Sequence, residues 1–384
     1  MIIFYFIFIL LMAGYTILIE YYHRAWNKIP ETLADHYSGE THISVIISLR
    51  NESKNVSSLL ESLRNQDYPN RLTQIILVDD HSTDNTLELL QNHTVVGYIT
   101  VESLRSSGGE VIHSFKKKAI SRGIELASGS LIVTTDADCN FKPEWLSTLV
   151  RCYEATGARF IAAPVQLESR PGFLSTFQFL DFITLQGITG ASVYKKFHTM
   201  CNGANLAYSK SAFNEVNGFE GIDHIPGGDD MLLMYKIFSR YPDQVCYLKS
   251  QSAIVKTSSA DSWKAFFNQR IRWSSKAVHY DDKRIFRVLL MVYIVNVCFL
   301  LAAIASFWKT NYFIFFLLML LAKVLIEFPF VNSVAMFFGQ QRLMRYFPFM
   351  QPFHILYTII AGWFGKFGSY EWKGRKFSHH GQRI

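Results

Sequence analysis

The chain has 384 residues and a formal net charge of +7, and 49% of its residues are hydrophobic. Its mean hydropathy of +0.12 is high for a soluble enzyme, and its length accommodates one sizeable domain with additional elements. The apolar residues are concentrated in residues 1–19 and 286–364, whereas residues 40–280 have the patterning of a globular domain. This distribution excludes a wholly water-soluble protein and predicts a membrane protein with one large water-facing domain.

Much of the positive charge lies beside the apolar stretches. Positive residues in such places orient membrane spans and contact anionic lipid. Nucleic-acid binding, another common use of a basic chain, is therefore disfavoured. The basic residues concerned are Arg24, Lys28, Lys283, Arg284, Arg287, Arg342, Arg345, Lys373, Arg375 and Lys376.

Residues 1–19 are just long enough to cross the hydrocarbon core, which needs about 20 apolar residues. The basic start and small-residue cleavage site of a signal peptide are not evident. His23, Arg24 and Lys28 follow the stretch, and positive residues favour the cytosolic side. We therefore expect a transmembrane anchor over residues 1–22, in a membrane such as the bacterial inner membrane, with the large domain in the cytosol.

From residue 43 onward, apolar strand-like segments alternate with amphipathic helical segments. This alternation predicts a mostly parallel sheet with helices on both faces. Ligands of such sheets bind beyond the carboxyl ends of the strands, where Asn51, Asp79 and Asp136 lie. The clearest strand candidates are 44–49, 75–78 and 131–135, and the weaker ones are 160–164 and 205–208.

Asp79 and Asp80 end the second of these strands. A turn that caps the following helix through Thr83 or Asp84 explains part of the segment, but it does not explain two further acids. A carboxylate at this position is able to accept a hydrogen bond from the ring N–H of a nucleobase.

A run of three lysines, Lys116 to Lys118, begins a helical segment. Such a run usually forms a solvated face, and positive charge is unfavourable at a helix N-terminus. We expect either Lys116 or Lys117 to turn inward towards a diphosphate.

Asp136 and Asp138 flank Ala137 at the end of an apolar strand. An acidic turn before the next helix is one interpretation. The other is a site for one divalent ion and a ribose, because Mg²⁺ and Mn²⁺ bind hard oxygen ligands and share their coordination with substrate phosphates.

Asp229 and Asp230 precede an apolar helical stretch. One aspartate suffices to cap that helix. The second is available as a general base, provided that burial raises its pKa towards the working pH.

A helical segment with aromatic and basic residues follows. Gln269, Arg272, Trp273 and Lys276 are spaced so that they share one face. We expect residues 259–282 to form an amphipathic helix on the membrane surface. Its polar face would meet the site, with Trp273 stacking on a sugar or base and Arg272 pairing with a diphosphate.

The C-terminal region, 286–366, contains two clear membrane spans, 286–308 and 312–338. A third candidate, 346–364, is interrupted by Pro348, Gln351, Pro352 and His354. If it crossed the membrane, the basic tail 367–384 would lie outside, against the positive-inside tendency. We therefore expect 346–364 to be interfacial or re-entrant.

In this order and spacing, the segments resemble the membrane-bound family-two glycosyltransferases, whose catalytic domain has the GT-A fold. Residues 44–53 resemble that family's first nucleotide-binding strand and loop, 77–86 its uridine-contacting segment, and 136–138 its metal motif. Residues 227–230 resemble its catalytic-acid motif, 269–273 its QxxRW motif, and 201–213 its acceptor-side segment. The resemblance covers about residues 41–280 and implies a GT-A domain over 41–258. QxxRW-bearing groups include cellulose, chitin, hyaluronan and poly-N-acetylglucosamine synthases and ceramide glucosyltransferase.

The resemblance also implies roles for individual residues. The base would be Asp230, or alternatively Asp229, which replaces the usual Glu; Phe115 stands where the family usually has Gly before the lysines. Asp138 would bind Mg²⁺ or Mn²⁺. The acceptor and diphosphate residues would be Gly203, Asn205, Gln269, Arg270, Arg272 and Trp273. The nucleotide-binding residues would be Ser48, Arg50, Asn51, Glu52, Asp79, Asp80, Lys116, Lys117, Asp136 and Ala137.

These expectations describe an inverting, metal-dependent glycosyltransferase that uses a nucleotide-sugar donor. The resemblance favours a UDP-sugar as that donor. Three or four spans in one chain form a poor conduit for a polymer unless chains associate. A lipid or other membrane-associated acceptor is therefore preferred to the alternative, a processive polysaccharide synthase. A non-catalytic nucleotide-binding membrane protein is the third hypothesis. The sequence leaves the oligomeric state open.

Overall fold

The computed structural model describes residues 2–31, 38–93, 98–104, 114–276, 282–372 and 375–378. The strands are β1 (Ile43–Leu49), β2 (Thr73–Asp79), β3 (Ile99–Ser103), β4 (Leu131–Asp136), β5 (Cys139–Asn140), β6 (Phe160–Ala162), β7 (Val165–Leu167), β8 (Leu206–Ser209), β9 (Val245–Tyr247), β10 (Val255–Thr257), β11 (Ser369–Trp372) and β12 (Arg375–Ser378). The α-helices are α1 (Ile2–Lys28), α2 (Val56–Arg64), α3 (Thr86–His93), α4 (Phe115–Leu126), α5 (Trp145–Thr156), α6 (Phe173–Tyr194), α7 (Lys210–Glu215), α8 (Met231–Arg240), α9 (Trp263–Ser275), α10 (Lys283–Ala305), α11 (Thr310–Phe337) and α12 (Phe347–Phe367).

The central sheet has seven strands in the order β3-β2-β1-β4-β8-β6-β9. Strands β3, β2, β1 and β4 are parallel, and β8 runs antiparallel to both β4 and β6. The β-branched runs that predicted β1, β2 and β4 form the centre of the sheet, and their side chains are almost all buried. The predicted α/β fold with a mostly parallel sheet is confirmed.

The register of the sheet brings the acidic strand ends together. Asp136 of β4 pairs with Ser48 of β1, and Asp79 of β2 pairs with Leu49 on the other side of β1. A second sheet, with the order β5-β10-β7, pairs Thr257 with Cys139, the residue after Asp138.

Three helices, α1, α10 and α11, are long and apolar enough to cross a membrane. Helix α12 covers the interrupted candidate 346–364 and is not among these three. It lies beside α9: Gly365 abuts Ser274 near its C-terminus, and Phe353 stacks on Trp263 nearer its N-terminus. The expectation that 346–364 is interfacial or re-entrant stays a prediction.

Helix α1 continues past the predicted boundary at residue 22 and ends at Lys28. Its last turns belong to the packing of the sheet domain, because Trp26 is fully buried against Tyr247 of β9 and Phe337 of α11. The ammonium of Lys249 donates a hydrogen bond to the Trp26 carbonyl at 3.1 Å. Hydropathy alone places the end of this helix too early, because the residues after position 22 include polar and aromatic groups that are buried in protein.

The predicted interfacial helix and basic tail lie only partly within the described residues. Helix α9 accounts for Trp263–Ser275 of the predicted 259–282, and residues 277–281 are outside the described ranges. Within the predicted tail 367–384, strands β11 and β12 form an antiparallel pair. Residues 373–374 and 379–384 are outside the described ranges.

A buried polar cluster connects α1, α11 and α12. Lys323 donates hydrogen bonds to Glu327 at 2.5 Å and to Gln351 at 2.6 Å, and the Gln351 amide donates to Glu327 at 2.7 Å. The Tyr15 hydroxyl of α1 also donates to Glu327. The sequence predicts simple i, i+4 pairing of Lys323 with Glu327, whereas the structure adds two further helices to that pair.

Replacing Lys323 by Met should destabilise the protein strongly, because it leaves the Glu327 carboxylate buried without its cation. Loss of one partner of a buried pair costs about 3–5 kcal/mol. Lys309→Met, at an exposed position just before the same helix, is the matched control. Thermal unfolding in detergent measures both variants, and equal stabilities would contradict a structural role for the cluster.

Candidate functional site

A cavity of about 960 Å³ begins at the carboxyl ends of β1 and β4 and continues between the apolar helices α1, α10, α11 and α12. Asp138, Asp230 and Trp273, which come from distant parts of the sequence, all line it. Most of the predicted site residues do so as well. The exceptions are Asn51, Asp79, Lys117 and Asn205.

The loops after β1 and β2 are held together by the residues predicted to bind a nucleotide. Arg50 donates from Nη1 to the carbonyls of Asp80 and His81, both at 2.8 Å. Asn51 has a positive φ of 53° and accepts the Thr83 N–H at 2.8 Å. These bonds fix the strand-end loops, while the side chains of Asp80, Ser48 and Glu52 line the cavity.

Asp79 is buried behind this edge rather than exposed in the cavity. It is 2% exposed, and its Oδ2 accepts the Ser82 N–H at 3.3 Å. Of the two adjacent acids, Asp80 is thus the one in position to meet a ligand.

Lys116 joins two of the predicted acidic segments. Its ammonium is 2.7 Å from Asp136 Oδ1 and 3.1 Å from Asp229 Oδ2. Lys117 points elsewhere and donates to the carbonyls of Ile222 at 2.5 Å and Ile225 at 2.8 Å. Of the two lysines that the sequence left open, Lys116 is therefore the one that reaches the site, because Lys117 is engaged by a backbone loop.

Asp229 is held in its ionised form. Burial by itself would raise its pKa, but the nearby cations Lys116, Lys276 and Lys117 outweigh burial and lower the pKa of Asp229 to about 2. The sequence-based condition for a general base, a pKa raised by burial, is not met at Asp229.

Asp230 lies at the N-terminus of α8 and faces the loop that contains Gly203. Its Oδ1 accepts the Met231 N–H at 2.8 Å, and its Oδ2 accepts the Gly203 N–H at 3.1 Å. A Cβ at position 203 would lie 3.4 Å from the Lys116 ammonium and 3.5 Å from the Asp230 Cβ. The small residue therefore permits the loop to contact both groups.

Asp138 presents one carboxylate beside Asp136 on the cavity wall, and its Oδ2 accepts the Thr257 hydroxyl at 3.0 Å. Among the described residues, no group of three or more His, Cys, Asp or Glu side chains forms a ready-made metal site. Two carboxylates and a hydroxyl are hard oxygen donors, which fit Mg²⁺ or Mn²⁺ when substrate phosphates and water complete the coordination.

Lys276 and Thr257 also belong to the site, although they were not among the predicted site residues. A Cβ on Gly227 would lie 3.1 Å from the Lys276 ammonium, which places this lysine beside the loop that precedes Asp229. Burial lowers the pKa of both Lys276 and Arg272. The helical spacing from Gln269 indicated Lys276, whereas the short strand that contains Thr257 gave no comparable signal.

Asn205 was predicted to contact the acceptor, but its side chain is engaged in the core. Its amide donates to the carbonyls of Pro164 at 2.8 Å and Ala253 at 2.7 Å, and it accepts the Trp145 indole N–H at 3.0 Å. The residue is fully buried. This arrangement favours a structural role for Asn205.

Two family models match the sequence. "Glycosyl transferase family 2" matches residues 44–216, and "Glycosyl transferase family group 2" matches residues 131–364.

The chain is similar to several relatives, two of which are named as synthases of different products, a polysaccharide and a glycolipid. The chain is 25% identical over 189 residues to glycosyltransferase AglE of Haloferax volcanii, covering 49% of this chain and 59% of that protein. It is 23% identical over 266 residues to a poly-beta-1,6-N-acetyl-D-glucosamine synthase of Staphylococcus epidermidis, covering 65% and 58%. It is also 27% identical over 124 residues to a beta-monoglucosyldiacylglycerol synthase of a Nostoc species, covering 31% and 26%. The chain thus spans less than two thirds of the length of each of these relatives.

A solved structure shares the fold. The mannosyltransferase PcManGT of Pyrobaculum calidifontis, in complex with GDP-Man and Mn²⁺, superposes with a TM-score of 0.63 at 18% identity. The match covers 94% of this chain and 99% of that one.

The lowered pKa of Asp229 predicts a defined dependence of stability on pH. The folded pKa of about 2 is below the ordinary value of 3.8, so ionised Asp229 stabilises the folded state above pH 3.8 and loses this effect as the pH falls towards 2. The stability difference between wild type and Asp229→Asn should therefore shrink by on the order of 2 kcal/mol across that window. Equilibrium unfolding of both proteins in detergent at each pH measures this difference in unfolding free energy.

Asp261→Asn is the control for this experiment, because the Asp261 side chain is 85% exposed. Its stability should follow the wild-type pH profile. A stability difference between wild type and Asp229→Asn that stays constant from pH 5 to pH 2 would contradict the ionic role of Asp229.

Proposed function

Because this chain belongs to glycosyl transferase family group 2, and is thus a glycosyltransferase, we propose that it transfers a sugar from a nucleotide-sugar donor to a lipid acceptor, with inversion at the anomeric carbon. A UDP-sugar is the proposed donor. The catalytic domain is proposed to face the cytosol, where such donors are made, because basic residues lie in the last turns of α1.

The observation that carries this proposal is the continuity of the cavity. One end is lined by Asp136, Asp138 and Asp230, and the other by apolar side chains of α10 and α12, including Leu289, Tyr293, Met350 and Trp363. Polar and apolar walls in one cavity match an amphipathic acceptor whose hydroxyl or phosphate reacts while its hydrocarbon stays in the membrane.

The proposed donor site lies at the strand ends. Asp80 and the loop residues after β1 support the nucleoside, and Lys116 is within reach of a diphosphate bound beside Asp136. Asp138 and Asp136 would hold Mg²⁺ or Mn²⁺, which when bound would neutralise the diphosphate and so favour its departure.

Asp230 is the proposed general base. It takes the proton of an acceptor hydroxyl while the hydroxyl oxygen forms a bond to the anomeric carbon on the face opposite the leaving group. The bond between the anomeric carbon and the diphosphate oxygen breaks, and the diphosphate leaves with the electron pair. The cations Arg272, Lys276 and Lys116, which line the same cavity, favour this development of negative charge.

A processive polysaccharide synthase is the alternative, supported by the Staphylococcus epidermidis relative. Against it, three helices of the described chain qualify as spans, which is few for a conduit within one chain. The lipid acceptor is therefore preferred.

Asp230→Asn should reduce turnover by about 10²–10⁴-fold, since a general base contributes on that scale. Nucleotide affinity should stay within about twofold, because the side chain contacts the loop at Gly203 rather than the strand ends. Steady-state release of nucleoside diphosphate and equilibrium binding of the free nucleotide measure the two quantities. Near-normal turnover in Asp230→Asn would refute this role.

The acceptor class is tested by the product. Membranes that contain the protein are supplied with radiolabelled UDP-sugars and, separately, GDP-sugars, and the products are divided into an organic phase and a water-soluble polymer fraction. Label should enter the organic phase as a discrete glycolipid. A ladder of long saccharide chains would overturn the lipid proposal in favour of the synthase.

A further inference from the structure

A buried ion pair on the cavity wall joins Arg270 of α9 to Asp181 of α6. Arg270 donates from Nη2 to Asp181 Oδ2 at 2.6 Å, and both side chains are only 4% exposed. Asp181 is the only acidic or basic residue in the 22 residues of α6. The other oxygen of Asp181 accepts a hydrogen bond from the Tyr357 hydroxyl of α12. One carboxylate thus joins three helices.

Arg270 also contacts two residues that were predicted to bind the acceptor, Trp273 and Gln269. Its guanidinium carbon lies 4.3 Å from the centre of the Trp273 ring and 4.8 Å from that of Phe266. Its Nη1 also donates to the Gln269 side-chain oxygen at 3.2 Å. The orientation of the Trp273 indole and of the Gln269 amide therefore depends on where Asp181 holds the guanidinium.

A gain in folding stability does not explain well why this buried ion pair is present. Desolvating two charges costs several kcal/mol per ion, and apolar replacements of buried pairs are often neutral or stabilising. What an ion pair with a planar, forked donor provides is a defined geometry. The stacked guanidinium also restricts rotation of the indole by occupying one of its faces.

We propose that Asp181 and Tyr357 are positioning residues for the acceptor: through Arg270 they set the Trp273 ring and the Gln269 amide against the part of the acceptor that lies next to the reacting hydroxyl or phosphate. This inference rests on the proposed function. It goes beyond that function by assigning acceptor recognition to a carboxylate on α6 and a phenol on α12, neither of which is hydrogen-bonded to the donor-side acids within the described part of the chain.

The test separates donor kinetics from acceptor kinetics. The full-length protein in phosphatidylcholine vesicles is supplied with a labelled nucleotide sugar and with vesicles doped with either polyprenyl phosphate or diacylglycerol as acceptor probes. In Asp181→Asn the acceptor KM should rise about tenfold or more, since small misplacement of a binding group has effects of this size. Donor KM and the slow release of nucleoside diphosphate without acceptor should stay within about twofold of wild type.

Tyr357→Phe is a milder variant that keeps the ring and removes only the hydrogen bond to Asp181. It should raise the acceptor KM by a few-fold. Tyr247→Phe is its matched control, because the Tyr247 hydroxyl is also buried and has no hydrogen-bond partner among the described residues. The control should leave the acceptor KM unchanged.

A double-mutant cycle distinguishes positioning from general destabilisation. If Asp181 acts through Trp273, then Asp181→Asn should change the acceptor KM much less in a Trp273→Phe background than in wild type. Fully additive effects, or an unchanged acceptor KM in Asp181→Asn while wild type transfers normally, would overturn the inference alone. A wild-type protein that cleaves the donor but transfers to neither lipid would instead overturn the proposed acceptor class.

Discussion

The convergence of carboxylates at the strand ends depends on a half-buried cation between them, Lys116. Asp136 and Asp229 are far apart in the sequence and would repel each other across a partly desolvated cavity. The Lys116 ammonium contacts both, and Asp230 and Gly203 are assembled around the same point. This arrangement connects the donor side of the site with Asp230, the residue proposed as the base. The electrostatic potential at Asp230 therefore depends on the charge bound beside Asp136.

The fold and much of the site were predictable because they follow from local patterns. β-Branched runs that end in Asp indicated β1, β2 and β4, and parallel pairing then brings their carboxyl ends to one edge of the sheet. The helical spacing from Gln269 to Lys276 placed one polar face towards the cavity. In each case a short-range rule was sufficient, since the neighbours were fixed by the period of the element.

The rest depends on long-range contacts that a local pattern does not encode. The choice between Lys116 and Lys117 is made by the carbonyls of Ile222 and Ile225, more than 100 residues away. The low pKa of Asp229 results from lysines on α4 and at the end of α9, which outweigh the effect of burial. Asn205 lies in a segment that resembles an acceptor site, yet three hydrogen bonds from the core occupy its side chain. No sequence pattern indicated a role for Asp181, because a single acid in an apolar helix has no recognisable spacing to other residues.

The docking of the first helix has a mechanical consequence. Trp26 lies between Tyr247, Phe337 and the Lys249 ammonium, and these contacts join the end of the apolar helix α1 to the sheet that bears the carboxylates. If α1 spans a membrane, as its length and hydropathy indicate, this packing and not a tether sets the height of the reaction centre above the hydrocarbon. Under the proposed function, this packing would favour acceptors whose reactive atom projects from the bilayer by that distance.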